Sequence, residues 1–258
     1  MKVSVIIPVL NEAEEIGGAI SQLRGLPSNV SIEGKAEPDA GKAEIIVVDG
    51  GSADATPMIA GGLGVRVIAS KRGRGAQMDA GAEASIGDVL LFLHADTRLP
   101  DNYLAAIRSA LEGKEAVAGA FSLGIASDKA RFRIIEYFAN LRARAFGIIY
   151  GDQAIFARRD AFLSAGGFNK LPLMEDLDCV KRLRSLGRVI LLKESARVSA
   201  RRWEKGGVIR TTLKNYLFLA LYFLGVPPDR IYKWYYHNPP APDISVQGRP
   251  VGKGQRGF

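Results

Sequence analysis

Residues 3–12 read VSVIIPVLNE, residues 45–52 read IIVVDGGS, and residues 89–96 read VLLFLHAD. Each begins as a short apolar run and stops abruptly at polar residues or glycine. Runs without alternation suit strands buried on both faces, as parallel strands are. Helical signals lie between them. Asn11 stands where it can cap a helix whose first turn holds Glu12, Glu14 and Glu15, acids that the helix dipole favours. Asp54 starts a second helix, and Val65 to Ala69 gives a further strand. Lys71-Arg72-Gly73-Arg74-Gly75 is a basic glycine loop that opens a helix of small residues over 76–85. Strand and helix alternate four times, which predicts an α/β fold with a largely parallel sheet covered by helices on both faces. Ligands of such sheets bind beyond the carboxyl ends of the strands. Asn11-Glu12, Asp49 to Ser52 and His94 to Asp96 all fall there.

The second half is less regular. Ala116 to Ile125, Ala154 to Ala157 and Val189 to Leu192 read as strands, and Arg131 to Phe146 as a basic amphipathic helix. Glu175 opens a helix through Leu186 that Gly187 ends. Residues 25–42 read as a loop. No charge occurs from Asn215 to Pro228. That stretch is too short to span a bilayer, which needs ~20 residues, so it predicts a core or interfacial helix. Tyr232, Trp234, Tyr235 and Tyr236 follow, and the tail after Asn238 is rich in Pro and Gly. The expected division is a catalytic domain over 1–205 and a helical extension with a loose tail over 206–258.

The 258 residues are 47% hydrophobic, enough for a sizeable core. A single cysteine, Cys179, excludes an intramolecular disulfide framework and a cysteine-cluster metal site; it reads as a helix-packing thiol. Two histidines, His94 and His237, exclude a His-rich zinc centre. The first apolar run is too short for a signal peptide and breaks into acids, which predicts a cytoplasmic protein. Charge is split. Residues 1–120 hold 11 Lys and Arg against 16 Asp and Glu, whereas 121–258 hold 24 against 11. The basic half carries no nucleic-acid motif, so no nucleic-acid partner is expected.

Neither G-x-G-x-x-G nor the P-loop pattern occurs, so the strand-end acids need another account. Asp96, on a strand-end loop and near a basic loop, is what a divalent cation bridging to a diphosphate requires. Arg72 and Arg74 are placed to hold phosphates directly. A turn or cap role is the bland alternative for each acid taken singly.

The ordered set is more specific than its members. Val5-Ile6-Ile7-Pro8 with Asn11-Glu12, Val47-Val48-Asp49 with Gly51-Ser52, Arg74-Gly75, His94-Ala95-Asp96, Gly166-Gly167-Phe168 and Glu175-Asp176 together resemble a family 2 glycosyltransferase of the GT-A fold. The likeness spans roughly residues 1–203. It implies a nucleoside diphosphate sugar donor, a divalent Mg or Mn cation, and usually inversion of the anomeric centre. It places Pro8, Asn11, Glu12, Asp49, Arg72, Arg74, His94 and Asp96 at the donor, with Asp96 on the metal. It makes Asp176 the general base and has Glu175 either orient that base or touch the acceptor. Inversion needs one carboxylate within reach of the acceptor hydroxyl. The alternative is that Glu175, Asp176 and Asp178 only complement a helix N-terminus.

Two departures stand out. The family's acidic pair after the second strand is Asp49-Gly50 here, and its D-x-D is His94-x-Asp96. Arg202-Trp203 resembles the end of the Q-x-x-R-W motif of processive members, but Ser199 replaces the Gln, which argues against processive synthesis. Asp152 and Gln153, like Arg202 and Trp203, are candidates for contacts with sugar or acceptor. The blocks DGGS, HADT, EDLD and ARRW look most like a bacterial subgroup named for arsenosugar biosynthesis. Two other readings stay open: a sugar nucleotidyltransferase, and a non-catalytic membrane-surface binding module. Basic residues at 201–214 and aromatics at 232–236 flank the charge-free stretch. They predict peripheral binding through 205–236 to anionic membrane on the inner face of the cell membrane, with a lipid-linked or amphiphilic acceptor.

Overall fold

In the computed structural model, which describes residues 1–25 and 43–236, the first half runs β1 (Val3–Val9), α1 (Ala13–Leu23), β2 (Glu44–Asp49), α2 (Thr56–Gly62), β3 (Arg66–Ala69), α3 (Arg74–Ala84) and β4 (Val89–Phe92). Next come β5 (Thr97–Arg98), α4 (Tyr103–Ala110), β6 (Ala116–Ala126), α5 (Ala130–Phe146), the 3-10 turn Gly151–Gln153, β7 (Phe156–Arg158) and α6 (Arg159–Ser164). The chain ends in α7 (Glu175–Leu186), β8 (Arg188–Ser199), α8 (Arg201–Gly206), α9 (Val208–Phe223) and α10 (Pro228–Tyr236). The loop expected over 25–42, Gly25 apart, and the tail after Asn238 lie outside the described residues.

Successive residues of β1 go to opposite sides, and both sides are covered. Val5, Ile7 and Val9 pack with Ile16 and Ile20 of α1 and Ile107 of α4. Ile6 packs with Ile46, Val48 and Met78 of α3. Burying each such side chain contributes ~1.5–3 kcal/mol. Helix α3 lies close because Gly81 faces Ile6; a Cβ there would stand 2.4 Å from Ile6 Cγ2.

The sheet order is β3-β2-β1-β4-β7-β6-β8-β5. The expected parallel pairing holds for β3, β2, β1 and β4. It fails beyond them. β7 runs antiparallel to both β4 and β6, and β5 runs antiparallel to β8, while β6 and β8 are parallel. A strand of three residues carries no sequence sign of its direction, and the two-residue β5 exists only as a partner for β8. β8 also continues to Ser199, well past the expected Leu192, because its outer half alternates rather than staying apolar.

Asn11 does not cap α1. Its backbone is left-handed, with φ 56°, and its Oδ1 accepts the Ala53 N–H at 2.8 Å. The first donors of α1 are met from α2's approach instead: Thr56 Oγ1 accepts the Glu12 N–H and Asp54 Oδ2 accepts the Ala13 N–H. The charge-free stretch is a half-buried helix. Phe218 and Leu219 pack with Ile231 on Met174 and Leu177 of α7, whereas Leu217, Phe223 and Leu224 are exposed. Among the described residues no helix is long and apolar enough to cross a membrane.

Candidate active site

A cavity of about 260 Å³ opens at the carboxyl ends of β1 and β4. Pro8 and Glu12 reach it from β1 and the turn after it, Arg74 from the first residue of α3, and His94 and Asp96 from the loop after β4. Asp152 comes from the 3-10 turn, Glu175 and Asp176 from the first turn of α7, and Arg202 and Trp203 from α8. Ten of the residues singled out in the sequence therefore meet in one place, although they lie up to two hundred positions apart.

Asp176 is held by backbone. Its Oδ2 accepts the Gly151 N–H at 2.6 Å and its Oδ1 the Leu177 N–H at 2.8 Å. The 3-10 turn can approach this closely because residue 151 lacks a side chain; a Cβ there would lie 3.1 Å from His94 Nε2 and 3.4 Å from Asp176 Oδ2. Just before the pair, Met174 adopts φ 66° without being glycine. Such strain persists only where packing overdetermines it, and the buried Met174 side chain is clamped among Leu177, Phe218 and Leu219.

The carboxyls are crowded and poorly hydrated. Burial pushes Asp176 above the usual carboxylate range, against the two hydrogen bonds and Arg74. Burial raises Glu175 to about 7, opposed by Arg74 at 3.7 Å and assisted by the charge of Asp176. Asp152 is pushed up to about 6, again by burial first, and its Oδ1 has no hydrogen-bond partner. Glu12 is raised by burial and then by Asp96. His94 is lowered to about 3 by burial and the nearby arginines, so its ring is neutral, and its Nε2 is unpartnered. Perturbed acids gathered in one cleft mark a site built for cations or for proton transfer. Asp96 offers it a hard oxygen ligand, but among the described residues no group of three His, Cys, Asp or Glu side chains could hold a metal ion by itself.

Four candidates are not brought to the cavity wall. Asp49 is turned into its own loop, accepting from the Gly51 and Ser52 N–H groups and from Ser52 Oγ. Ser52 Oγ in turn accepts the Asn11 N–H, so Asn11 and Asp49 form a linked pair beside Pro8. Arg72 is exposed on the glycine loop. Gln153 is buried with its amide satisfied by backbone: Oε1 accepts from Tyr150 N–H and Nε2 donates to Phe121 O.

The sequence reading missed the far wall. Tyr150, Met174, Asn215, Phe218, Tyr235 and Tyr236 line it. Arg142 stands 4.1 Å from the Tyr150 ring centroid, and Lys214 fixes α10 by donating to the Tyr235 carbonyl at 2.7 Å. The one local sign was the aromatic cluster at 232–236, which sequence alone could not assign between a membrane surface and a cavity. Tyr235 and Tyr236 face the cavity; Trp234 is 50% exposed.

No curated protein matches the chain. Among solved structures it is similar to residues 1–349 of S. aureus TarS in complex with UDP, at 17% identity and TM-score 0.58, covering 77% of this chain and 60% of that one. It is similar to the mannosyltransferase PcManGT of Pyrobaculum calidifontis in complex with GDP-Man and Mn²⁺, at 18% identity and TM-score 0.58, covering 77% and 56%. Glucosyl-3-phosphoglycerate synthase of Mycobacterium tuberculosis with Mn²⁺ and UDP-Glc matches at 18% identity and TM-score 0.52, covering 77% and 69%. These likenesses show the fold, a GT-A sheet flanked by helices, and the chain spans about 60% of the TarS fragment it matches. The family model described as Glycosyl transferase family 2 matches residues 4–165, more than half of the sequence. By that match, and with the sheet and cavity in agreement, the chain belongs to glycosyl transferase family 2.

Proposed function

We propose that the protein is an inverting, metal-dependent glycosyltransferase that moves a sugar from a nucleoside diphosphate sugar to an acceptor hydroxyl. The observation that carries this is Asp176: a half-buried carboxylate, pinned by Gly151 and raised in pKa, in the same cavity as Asp96 and Arg74. The acceptor oxygen attacks the anomeric carbon and gives its proton to Asp176. The bond from that carbon to the diphosphate oxygen breaks, and its electron pair leaves with the nucleoside diphosphate. Glu175 keeps Arg74 oriented through their 3.7 Å ion pair, and Arg74 holds the diphosphate. Asp96 would hold a Mg²⁺ or Mn²⁺, which would supply positive charge for the leaving group. Asp152 and Arg202 bind sugar or acceptor hydroxyls. Structures of similar fold crystallised with UDP, UDP-Glc or GDP-Man, two of them with Mn²⁺, support this donor class.

In this reading residues 1–205 are the catalytic domain, and 206–258 are an extension that shapes the acceptor side. The half-exposed α9, whose inner face reaches the cavity through Asn215 and Phe218, supports a lipid-linked or amphiphilic acceptor at the cytoplasmic face of an anionic membrane. Within the family we assign the chain to the bacterial subgroup named for arsenosugar biosynthesis, on the resemblance of its DGGS, HADT, EDLD and ARRW blocks.

Thermal-shift titration with UDP- and GDP-sugars, with and without Mn²⁺, tests the assignment. A ligand at 100 times its Kd stabilises by ~2.7 kcal/mol. Asp96→Asn is expected to lose the metal-dependent shift and most turnover while melting normally without ligand. Metal-stimulated turnover retained by that variant overturns the role of Asp96.

A further inference from the structure

Helix α5 is covered on one side only. Phe132 and Ala139 pack against Leu123, Val198 and Trp203, and Ala143 against Ala120 and Ile149. Its other side exposes Ile134, Tyr137, Phe138 and Leu141, each between 45% and 64% accessible. Their spacing of i, i+3, i+4 and i+7 makes one continuous apolar stripe. By the same periodicity Arg131 and Arg142 border the stripe on one side and Arg133 and Arg144 on the other. Phe146, in the last turn beyond the Arg142 border, is exposed as well, at 71%. At this end of the helix Arg144 and Gly147 lead into a cleft of about 620 Å³ whose charged lining residues are Arg144, Arg184, Arg188 and Lys193, with no acid among the lining residues. Arg184 is fixed at this end by donating to the Phe146 carbonyl at 3.0 Å.

We propose that the outer face of α5 and this cationic cleft together dock the protein on an anionic lipid bilayer, the apolar stripe entering the interface and the cleft taking phosphate headgroups. The inference rests on the membrane-facing acceptor side given above and adds a second contact, remote in sequence from α9. Charge selects the occupant. A second copy meeting this face about a two-fold axis would set arginine borders against arginine borders. The chain's own residues 237–258 carry Arg249, Lys253 and Arg256 against Asp243, the same sign as the cleft. Helix α9 repeats the arrangement, with Ile209, Leu213 and Leu217 exposed, Arg210 in its first turn and Lys205 just before it in α8. Two helices that expose apolar stripes within the basic half of the chain are explained by one planar, anionic partner. Basic residues near such a surface contribute ~1 kcal/mol each, and aromatic side chains favour the headgroup level.

The test is co-sedimentation of the full chain with vesicles of phosphatidylcholine alone and of phosphatidylcholine mixed with phosphatidylglycerol, at low and high salt. Wild type is expected to bind the anionic vesicles and to be released by salt. Arg144→Gln with Lys193→Gln is expected to weaken partitioning about thirtyfold at low salt. Tyr137→Gln, Phe138→Gln and Leu141→Gln together are expected to weaken it on both vesicles. Turnover on a soluble acceptor and the melting temperature serve as controls, and the surface-charge pair keeps the test decisive should the apolar triple variant fold poorly. If wild type binds and both variants bind equally well while Ile209→Gln with Leu213→Gln does not, α9 alone meets the membrane and this inference is wrong. If wild type does not bind, the inference and the membrane-facing acceptor fall together, while glycosyl transfer stands on its own assay. A concentration-dependent dimer lost in the triple variant would assign the face to a second copy and overturn the proposal.

Discussion

Strands β1 and β8 belong to one sheet and follow opposite rules. β1 is a short apolar run buried along nearly its whole length, with packed helices on both sides. β8 is longer and mostly half-exposed, with Arg188, Lys193 and Arg197 on its open side. The first is framework, whose identity is set by the need to fill two apolar layers. The second is a support whose end leads directly into Arg202 and Trp203 of the cavity. Burial is therefore deeper in the parallel half, and the cavity lies where that half meets the mixed one. Variants in the two regions should separate cleanly: framework changes move melting and leave the pH profile of turnover alone, whereas cavity changes do the reverse.

The largest expected effect is that of Asp176→Asn. It should lower kcat by roughly 10² to 10⁴ with donor affinity almost unchanged. A collapse of donor affinity instead would place Asp176 at the nucleotide. In the wild type, activity should fall as pH drops through the pKa of this base. Burial raises that pKa, so the acid limb of kcat/KM should lie above the ordinary carboxylate range.

Next is a paired test of the parallel layer against β8. Leu91, fully buried on β4 in the parallel layer, should cost ~2–5 kcal/mol as Leu91→Ala in urea denaturation. Leu191, half-buried on β8, should cost only about 1 kcal/mol as Leu191→Ala, because less surface leaves water there. Equal losses would erase the contrast. Gly81→Val should cost ~1–3 kcal/mol by overpacking α3 on Ile6, with the kcat of the remaining folded protein unchanged.

The smallest effect concerns Asp79, which accepts the Phe168 N–H at 2.8 Å. Burial raises its carboxyl to about 6, partly against that bond. The folded state then holds a proton that the unfolded chain has released, so this group's contribution to stability declines as pH rises from about 4 to about 6. Asp79→Asn keeps an acceptor for Phe168 and should flatten that decline in urea midpoints. A pH slope identical to wild type would show that Asp79 titrates normally.

The parallel half could be read from sequence because a strand buried on both faces has no freedom of composition: Val5 to Ile7, Ile45 to Val48 and Leu90 to Phe92 each announce themselves. Asp96, Arg74, Glu175 and Asp176 were readable as candidates because they follow such strands or begin helices. β5 was not, since two residues offer no period to detect; β7 was read as a strand over Ala154 to Ala157, but its antiparallel direction left no local sign, and β8 lost its apolar signature once one face met solvent. Asn11 misled because its side chain answers a backbone N–H forty-two positions away rather than the adjacent helix.

The order of the parallel strands, of the helices between them and of the strand-end acids is thus determined by the sequence alone, since local period and burial dictate it residue by residue. Which of those acids share a cavity was decided only in three dimensions. Whether Gly151 comes close enough to hold Asp176, whether Gln153 spends its amide on backbone, and whether Tyr235 faces a cavity all depend on non-local approach. The approach of Tyr235, for one, is set by the packing of Phe218, Leu219 and Ile231 on Met174 and Leu177. No window along the chain contains both sides of that contact.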